Sequence, residues 1–298
     1  GADFWRGFWR LADPRITLTS VASIFLGIMV AATEGPIHLG WLLATAFTIF
    51  AIEVAKNATG DYYDYVSGAD LGVTAEDRTE FSGGKRVLVD EILTPRQVWE
   101  IAVWSGIVGA VLGLLVVFFR EPLALLFGLA GAGLAWSYQG PPLRLSYRGL
   151  GELSVAIVYG PLIALSAYLI QTHQLSADVV WLATPLGLVI GAFLWVNEFP
   201  DFTADKRAGK RNLVVILGKK RAAVGLMLIY LAAAAILFAL PFIGMPATVW
   251  FGFLFALPAW YATKTVLAEP ETFHRGRPVQ PAALVAFLLY AAGAGLGL

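Results

Sequence analysis

Residues 53–70 read EVAKNATGDYYDYVSGAD, and this stretch ends a long apolar segment that begins at Leu39. Helical spacing places Asn57, Asp61 and Asp64 on one face of that segment. Carboxylates that project from a membrane helix are costly unless they are paired, bind a metal or face water. The stretch therefore predicts a functional site at the end of a membrane-spanning helix.

A second acidic stretch, residues 197–205, reads NEFPDFTAD and repeats the spacing of the first. Asn197 and Asp201 are four residues apart, and Asp205 follows after four more. Each acidic stretch is followed by a loop that contains the phrase Gly-Lys-Arg. Two acidic helix ends, each with its own basic loop, predict a duplicated half-site for a metal-bound polyanion.

The composition indicates a membrane protein. The 298 residues are 58% hydrophobic and 14% charged, and the mean hydropathy is +0.71. Soluble proteins carry about 25% charged residues. The chain has no cysteine, which excludes disulfides, thiolate metal sites and a cysteine nucleophile. Its three histidines fall in predicted loops, which argues against a histidine-rich metal centre.

Nine apolar segments, each near the ~20 residues that a bilayer requires, predict an all-α membrane protein with nine transmembrane helices. They cover residues 16–32, 39–63, 97–119, 123–138, 150–170, 179–199, 222–242, 248–266 and 282–298. Ahead of them, Trp5, Phe8 and Trp9 alternate with arginines, which predicts a short helix in the membrane interface.

The distribution of Lys and Arg predicts the orientation. Loops on one side of the predicted membrane hold all of these residues except Arg120 on the other side and Lys56 within the second segment. Loops rich in Lys and Arg face the cytoplasm. The N-terminus and both acidic stretches are therefore predicted on the cytoplasmic side, and a prokaryotic cytoplasmic membrane is the expected location.

The acidic stretches predict a specific chemistry. Mg²⁺ takes one or two carboxylates and completes its octahedron with waters and substrate phosphates, so two facing half-sites could hold two ions across a lipid diphosphate. Lys85, Arg86 and Lys210 would neutralise the remaining charge. The tyrosines and one tryptophan near these stretches would stabilise an allyl cation: Tyr62, Tyr63, Tyr65, Tyr138 and Trp195.

Four longer motifs are similar to a known family. The sequence contains DYYDYVSGAD, SGGKRVLVDEIL, YRGLGELSVAIVYGP and NEFPDFTADKRAGKRNLVVILG. These resemble the UbiA superfamily of intramembrane prenyltransferases, most closely the 1,4-dihydroxy-2-naphthoate polyprenyltransferases of menaquinone synthesis. The resemblance implies one domain over residues 1–298, a helical bundle around a central cavity, and loops 67–95 and 203–221 as its caps.

The resemblance also implies Mg²⁺-dependent transfer of a polyprenyl group from its diphosphate to an aromatic acceptor. It implies catalytic and metal-binding roles for Asp61, Asp64, Asp201 and Asp205, with Asn57 as a further metal ligand. The residue before Asp61 is Gly60, where the family often has Asn. The implied substrate contacts are Asn57, Lys85, Arg86, Tyr138, Arg144, Asn197 and Lys210.

Some of these residues have a second interpretation. Lys85, Arg86 and Lys210 either contact the diphosphate or only anchor the topology, and Arg144 serves either substrate or a structural turn. The tyrosines could equally form an interfacial belt. Five other basic residues are expected to anchor the topology and meet anionic lipid headgroups: Lys206, Arg207, Lys219, Lys220 and Arg221. Glu53 and Lys56, three residues apart, are expected to pair with each other. Glu198 is expected to be structural, because it points about 100° away from Asn197 on a helix.

Other functions remain open at this point. The same chemistry could serve another acceptor, such as a glycerol-phosphate lipid, homogentisate or another quinone precursor. A secondary transporter could also carry duplicated acidic motifs, although transporter sites lie near the midplane rather than at helix ends. The expected partners are the diphosphate, the aromatic acceptor and membrane lipids, and no nucleic acid is expected.

Overall fold

The computed structural model describes residues 1–81 and 85–298, so Gly84 of the first Gly-Lys-Arg phrase lies outside the described residues. All regular structure in the described residues is helical. The helices are α1 (Ala2–Ala12), α2 (Pro14–Glu34), α3 (Leu39–Ser67), α4 (Pro95–Phe119), α5 (Ala124–Gln139), α6 (Gly151–Ile157), α7 (Ile163–Thr172), α8 (Ala177–Asn197), α9 (Phe202–Arg207), α10 (Leu213–Leu217), α11 (Lys219–Ala239), α12 (Ala256–Ala268) and α13 (Val279–Leu296).

Shorter helical turns join or extend several of these helices. Val158–Leu162 is a π-turn between α6 and α7, and the 3₁₀ turns are Leu145–Tyr147, Leu240–Ile243, Ala247–Phe255 and Phe273–Arg275. The π-turn makes Gly151–Thr172 one membrane-length element, and 3₁₀ turns likewise extend α11 to Ile243 and begin the α12 element at Ala247.

Eight elements within the described residues are long and apolar enough to cross a membrane. They are Pro14–Glu34, Leu39–Ser67, Pro95–Phe119, Gly151–Thr172, Ala177–Asn197, Lys219–Ile243, Ala247–Ala268 and Val279–Leu296. The all-α membrane fold is thus confirmed. The remaining predicted segment, 123–138, forms α5, whose 16 residues fall short of a full crossing, so the count of nine spans stays a prediction.

Helix α8 forms the centre of the bundle. Leu182, Leu186 and Val189 on this helix are fully buried, and α8 packs against α2, α6, α11 and α13. Helix α4 lies at the periphery, where Trp104 and Phe118 expose 66% and 77% of their surface. Apolar side chains in such positions face lipid tails, so the bundle is apolar on its outside as well as inside.

Two glycines allow the central helices to approach closely. A Cβ on Gly27 of α2 would lie 2.2 Å from the carbonyl oxygen of Ala164, and a Cβ on Gly187 of α8 would lie 2.2 Å from that of Ala156. Side chains at these positions would separate the backbones, so the sequence requires glycine here.

The π-turn is a kink with an identifiable cause. Pro161 lies inside it, and Gly160 has the non-helical angles φ −92° and ψ −105°. Such breaks free a carbonyl from the helical ladder. The Gly160 carbonyl accepts a hydrogen bond from Ser23 Oγ at 2.9 Å. This contact fixes the kink against α2, and Tyr159 lies within the kink.

The two segments predicted as caps lie against each other. A Cβ on Gly72 in the first segment would lie 3.0 Å from Cβ of Ala204 in the second. The first segment is anchored at two places: Val87 and Leu88 are buried beneath α1 and α3, and Asp77 accepts hydrogen bonds from His274 and Arg275. The second segment contains α9 and α10 rather than irregular loop alone.

Candidate functional site

A polar cavity of about 230 Å³ lies between the ends of α3 and α8, beneath the two contacting loops. Nine of the eleven residues predicted to form the site line it: Asn57, Asp61, Asp64, Lys85, Tyr138, Asn197, Asp201, Asp205 and Lys210. The two acidic stretches, far apart in sequence, therefore meet at one cavity.

Two buried aspartates in this cavity have an oxygen without a hydrogen-bond partner. Asp61 accepts from the backbone N–H of Lys85 at 3.0 Å through Oδ1, whereas its Oδ2 has no partner. Oδ2 of Asp70 also has none. Burial, together with the nearby carboxylates of Asp64 and Asp61, raises the pKa of Asp70 well above its usual value. Such a concentration of buried carboxylates favours a cation in the cavity.

Asp64 is held from three directions. The Tyr147 hydroxyl donates to Oδ1 at 2.7 Å, Gln139 Nε2 donates to Oδ2 at 3.2 Å, and Lys210 Nζ donates to Oδ2 at 3.1 Å. Gln139 is itself oriented by Ser146, whose Oγ donates to its Oε1 at 2.8 Å. The orientation of Asp64 is therefore fixed before any ligand binds.

Gly60 provides the space for this arrangement. A Cβ at position 60 would lie 3.3 Å from Cγ and 3.6 Å from Nε2 of Gln139. The amide of Gln139 thus lies next to the position where a longer side chain at residue 60 would project. Nothing in the sequence spacing marks Gln139 and Tyr147, because their role depends on how the loop after α5 folds back over α3.

The second acidic stretch is held by its own loop. Asn212 Nδ2 donates to Asp205 Oδ2 at 3.2 Å, and Lys210 N–H donates to the Asp205 carbonyl at 2.8 Å. Burial raises the pKa of Asp205 to about 7, with Lys210 opposing the rise and Asp64 adding to it. Asn197 accepts from Gln280 Nε2 at 2.9 Å, which links the site to α13.

The two predicted lysines differ in their partners. Burial alone would lower the pKa of Lys210, but the carboxylates of Asp64 and Asp205 outweigh burial and raise it well above the usual value. Lys85 Nζ instead donates to Asp13 Oδ2 at 2.8 Å. Asp13 precedes α2 and also lines the cavity. Lys210 thus bridges the acidic stretches, whereas Lys85 joins the first loop to the start of α2.

Arg86 and Arg144 lie outside the cavity lining. Arg86 Nη2 donates to Asp90 Oδ1 at 3.3 Å, on the outer side of the first loop. The guanidinium carbon of Arg144 lies 4.0 Å from the centroid of the Tyr147 ring. Arg144 therefore supports a residue that holds Asp64, and neither arginine faces the cavity.

Most of the aromatic side chains proposed to face an allyl cation are elsewhere. Tyr62 and Tyr63 pack against Trp99, and Trp195 Nε1 donates to the Ala222 carbonyl at 2.8 Å. Tyr65 packs in the apolar cluster beneath α1. Of the five, Tyr138 alone lines the polar cavity, where Tyr159 joins it.

Glu198 also lines the polar cavity, although its sequence position suggested a structural role. Glu198 caps α8 and keeps αR backbone angles, so the polar cavity extends around the end of the helix far enough to reach both Asn197 and Glu198. Its Oε1 is buried without a hydrogen-bond partner. The same is true of Glu152 Oε2, while Glu152 Oε1 accepts from the Leu213 N–H at 2.8 Å.

A larger apolar cavity of about 520 Å³ lies between α3, α4, α5 and α7. Five glycines on α4 and α5 line it: Gly106, Gly109, Gly113, Gly128 and Gly131. The apolar and polar cavities share Lys56, Tyr138, Val155 and Tyr159 in their walls. A ligand with a charged head and a long apolar tail could occupy both.

The polar cavity suits a partly hydrated cation. Within residues 1–81 and 85–298, no three Asp, Glu or His side chains converge closely enough to coordinate an ion by themselves. Mg²⁺ needs only one or two carboxylates when waters and phosphates complete its shell. The partnerless oxygens of Asp61 and Asp70 fit such a partial shell.

Comparisons with known proteins agree with this geometry. The model of the UbiA prenyltransferase family matches residues 20–274. The 1,4-dihydroxy-2-naphthoate octaprenyltransferase of Mycobacterium tuberculosis is 31% identical over 242 residues, which cover 80% of this chain and 78% of the relative. The protein of the same name from Bacillus subtilis is 28% identical over 214 residues, covering 72% and 67% of the two chains.

Solved structures share the fold. A UbiA homolog from Archaeoglobus fulgidus bound to DMAPP and Mg²⁺ superposes with a TM-score of 0.67 at 13% identity, covering 97% of this chain and 98% of that one. The apo UbiA homolog from Aeropyrum pernix gives 0.66 at 19% identity, with 93% and 96% covered. At these identities the likeness concerns the fold alone.

Proposed function

The chain belongs to the UbiA prenyltransferase family of membrane enzymes, and from that premise we propose that it transfers a polyprenyl group from its diphosphate to 1,4-dihydroxy-2-naphthoate. This reaction belongs to menaquinone biosynthesis. The naphthoate acceptor is supported by the two bacterial relatives that carry this activity in their names.

The observation that carries the proposal is the junction of the two cavities. The polar cavity would hold the diphosphate, and the apolar cavity of about 520 Å³ would hold the prenyl chain. The bond between the first prenyl carbon and the diphosphate oxygen would then lie at the shared wall. A transporter has no need for such a junction between a charged cavity and an apolar one.

We propose that two Mg²⁺ ions bind in the polar cavity. Asn57, Asp61 and Asp64 would hold one ion, and Asp201 and Asp205 the other. A neighbour of the same fold binds DMAPP and Mg²⁺, which supports the choice of metal. When bound, Mg²⁺ supplies positive charge to the diphosphate oxygens.

The chain's own residues would then assist the transfer. Lys210 would donate to the diphosphate as it leaves with the electron pair of the broken carbon–oxygen bond. Tyr138 and Tyr159 would present aromatic faces to the positive charge that develops on the allylic carbon. An electron-rich carbon of the acceptor would form the new bond, and the acceptor's carboxyl group would leave as carbon dioxide.

We further propose that the site faces the cytoplasm of a prokaryotic cell. The support is the concentration of Lys and Arg in the loops on the side of the polar cavity, with Arg120 at the opposite ends of the helices.

The test is an assay of purified protein with geranylgeranyl or longer polyprenyl diphosphate, Mg²⁺ and 1,4-dihydroxy-2-naphthoate. We expect a prenylated, decarboxylated product that disappears with EDTA and in Asp64→Ala and Asp201→Ala. Asp178→Ala is the matched control, because Asp178 is exposed at the opposite end of α8 and should leave the rate unchanged.

Other outcomes assign a different acceptor. Product formed from homogentisate or a glycerol-phosphate lipid, but not from the naphthoate, would keep the prenyltransferase and reject the menaquinone role. Absence of product from every acceptor, together with no Mg²⁺-dependent binding of the diphosphate, would reject the proposed reaction.

A further inference from the structure

A charged side chain stands at the junction of the two cavities. Lys56 of α3 lines both the polar and the apolar cavity. The sequence suggested that Lys56 pairs with Glu53, one helical turn earlier. The structure gives Lys56 Nζ a hydrogen bond to the Tyr159 hydroxyl at 2.6 Å. Glu53 also attracts Lys56 electrostatically, while its Oε1 is buried without a hydrogen-bond partner.

Tyr159 is fixed in place for this contact. It lies in the π-turn beside Gly160, whose carbonyl accepts from Ser23 Oγ at 2.9 Å. Pro161 prevents a regular helix through this point. The kink therefore holds the Tyr159 hydroxyl at the junction, where it orients the ammonium of Lys56.

The ammonium has capacity for a ligand. A Lys side chain can donate three hydrogen bonds, and the structure shows one, to Tyr159. A cation in an apolar wall is costly unless an anion accompanies it. Glu53 supplies part of the charge balance, but it leaves hydrogen-bond donors of the ammonium unused at the junction. A carboxylate carried by the acceptor would accept from these donors.

We propose that Lys56 and Tyr159 form a binding site for the carboxylate of an aromatic acceptor, an inference that rests on the proposed prenyl transfer. Lys56 Nζ donates to the carboxylate and Tyr159 positions Lys56. The acceptor ring then lies against the junction, next to the first prenyl carbon. The site selects acids over neutral aromatic compounds of the same shape.

The neighbours of Lys56 favour a single carboxylate over the diphosphate. Glu53 lies on the apolar side of Lys56, and Asn57 and Gly60 lie on the polar side. A diphosphate carries several negative charges, and the Glu53 carboxylate would repel it more strongly than it repels one carboxylate. The diphosphate has other cationic partners in the polar cavity, Lys85 and Lys210, and Lys210 lies beside Asp64.

The test combines a substrate pair with a variant pair. The wild type, Lys56→Met and Lys56→Arg are assayed with 1,4-dihydroxy-2-naphthoate and with 1,4-dihydroxynaphthalene, which lacks the carboxylate. We expect Lys56→Met to raise the KM for the naphthoate about 10-fold or more, the effect of losing one charge-assisted hydrogen bond. The KM for the neutral compound and for the prenyl diphosphate should stay unchanged, and Lys56→Arg should retain part of the preference.

The opposite pattern overturns the inference. An equal rise in the KM for both acceptors in Lys56→Met would assign Lys56 to structure. A rise in the KM for the prenyl diphosphate alone would assign Lys56 to the leaving group. Lys206→Met is the matched control, because Lys206 is exposed on α9 outside the cavity. The double variant Glu53→Gln/Lys56→Met removes both charges, so its selectivity can be measured even where Lys56→Met alone folds poorly.

A binding measurement separates this inference from the proposed function. Titration calorimetry with 1,4-dihydroxy-2-naphthoate and with 1,4-dihydroxynaphthalene, in the presence of Mg²⁺ and geranyl thiolodiphosphate, requires no turnover. Preference of the wild type for the acid, lost in Lys56→Met, supports the carboxylate site even where the naphthoate is not the substrate. Equal affinity for both compounds overturns the site while leaving prenyl transfer intact.

Discussion

Lys210 Nζ lies 3.1 Å from Asp64 Oδ2, although 146 residues separate the two along the chain. This ion pair joins the loop after the second acidic stretch to the helix that carries the first. The Tyr147 hydroxyl and Gln139 also donate to Asp64, so the carboxylate already has a donor for each oxygen. A diphosphate that enters the cavity would therefore take Lys210 as a shared partner.

The first prediction concerns Lys210. We expect Lys210→Met to lower kcat/KM for the prenyl diphosphate about 10- to 100-fold, because one charge-assisted hydrogen bond to the leaving group is lost. Steady-state kinetics with saturating acceptor measures this. Lys206→Met, on the exposed face of α9, should keep wild-type kinetics, and a Lys210→Met enzyme with unchanged kcat/KM would assign Lys210 to structure only.

The second prediction concerns Tyr147. Removing its hydroxyl in Tyr147→Phe leaves Asp64 Oδ1 with only the 3.4 Å contact from Lys210 Nζ, and residues that orient metal ligands typically contribute 10- to 100-fold to metal affinity. We expect the Mg²⁺ concentration for half-maximal activity to rise by about 10-fold or more. An Mg²⁺ titration of the rate at saturating substrates measures it.

The control for Tyr147 is another tyrosine. Tyr261→Phe, on α12 away from both cavities, should leave the Mg²⁺ dependence unchanged. Equal curves for the wild type and Tyr147→Phe would contradict an orienting role for Tyr147.

The third prediction concerns helix packing. A methyl group on Gly187 would lie 2.2 Å from the Ala156 carbonyl oxygen, so Gly187→Ala should destabilise the fold by about 1–3 kcal/mol. Gly133→Ala is the matched control, because Gly133 is exposed on α5 and a Cβ there meets nothing within 4 Å. In one detergent, the unfolding temperature of Gly187→Ala should lie well below that of the wild type. The unfolding temperature of Gly133→Ala should equal or slightly exceed that of the wild type.

The fourth prediction concerns pH. His274 Nε2 and Arg275 Nη2 lie 2.8 and 2.9 Å from Asp77 Oδ1 and anchor the first cap segment. Burial opposes ionisation of Asp77, but hydrogen bonds from these two residues outweigh burial and lower its pKa. Burial also lowers the pKa of His274, although Asp77 opposes that change, while Lys219 and Arg275 add to it.

The pKa shifts of Asp77 and His274 both make the folded anchor less stable at low pH. A lowered carboxyl pKa gives stability that is present above the usual 3.8 and is lost as the pH falls through the lowered value. A lowered His pKa makes protonation unfavourable in the folded state, so stability also declines as the pH falls below the usual 6.5. The anchor should therefore weaken on acidification.

Limited proteolysis of residues 68–81 and 85–94 between pH 7.5 and about pH 3 covers the pH windows of both groups and tests this effect. We expect cleavage to accelerate with acid in the wild type. Asp77→Asn should be cleaved faster at neutral pH and accelerate more steeply below pH 6.5, because the carboxylate that opposes the lowered pKa of His274 is lost. The lost hydrogen bond to His274 should cost about 1 kcal/mol at neutral pH. Parallel profiles for the two proteins would show that this anchor does not govern the segment.

The fold was largely predictable because apolar length decides a membrane helix. Each of the eight crossing elements overlaps a predicted segment. Helix α5 was harder, since its glycines and its 16 residues give a weak signal for a crossing. The π-turn could not be predicted, because Pro161 indicates a kink in the sequence but does not indicate that the kink takes the form of a π-turn.

The site was predictable where it follows helical spacing and not where it depends on a loop. The acidic stretches lie on helix ends, so their side chains converge as expected. Tyr147, Gln139 and Asp13 act through segments that fold back from elsewhere, and single-sequence spacing carries no such information. The sequence also could not place Arg86 and Arg144 relative to the cavity: their side chains lie outside its lining, where they contact Asp90 and Tyr147 respectively.

The shared wall of the two cavities has a consequence for product release in the proposed reaction. Diphosphate is soluble in water and the prenylated ring is soluble in lipid, so one product would leave into water and the other into the bilayer. The ring would pass directly into the lipid that surrounds α4 and α5, and the diphosphate would pass into water beneath the loops. Neither product would have to cross the other's path, and a membrane-bound quinone precursor would never be exposed to the aqueous phase.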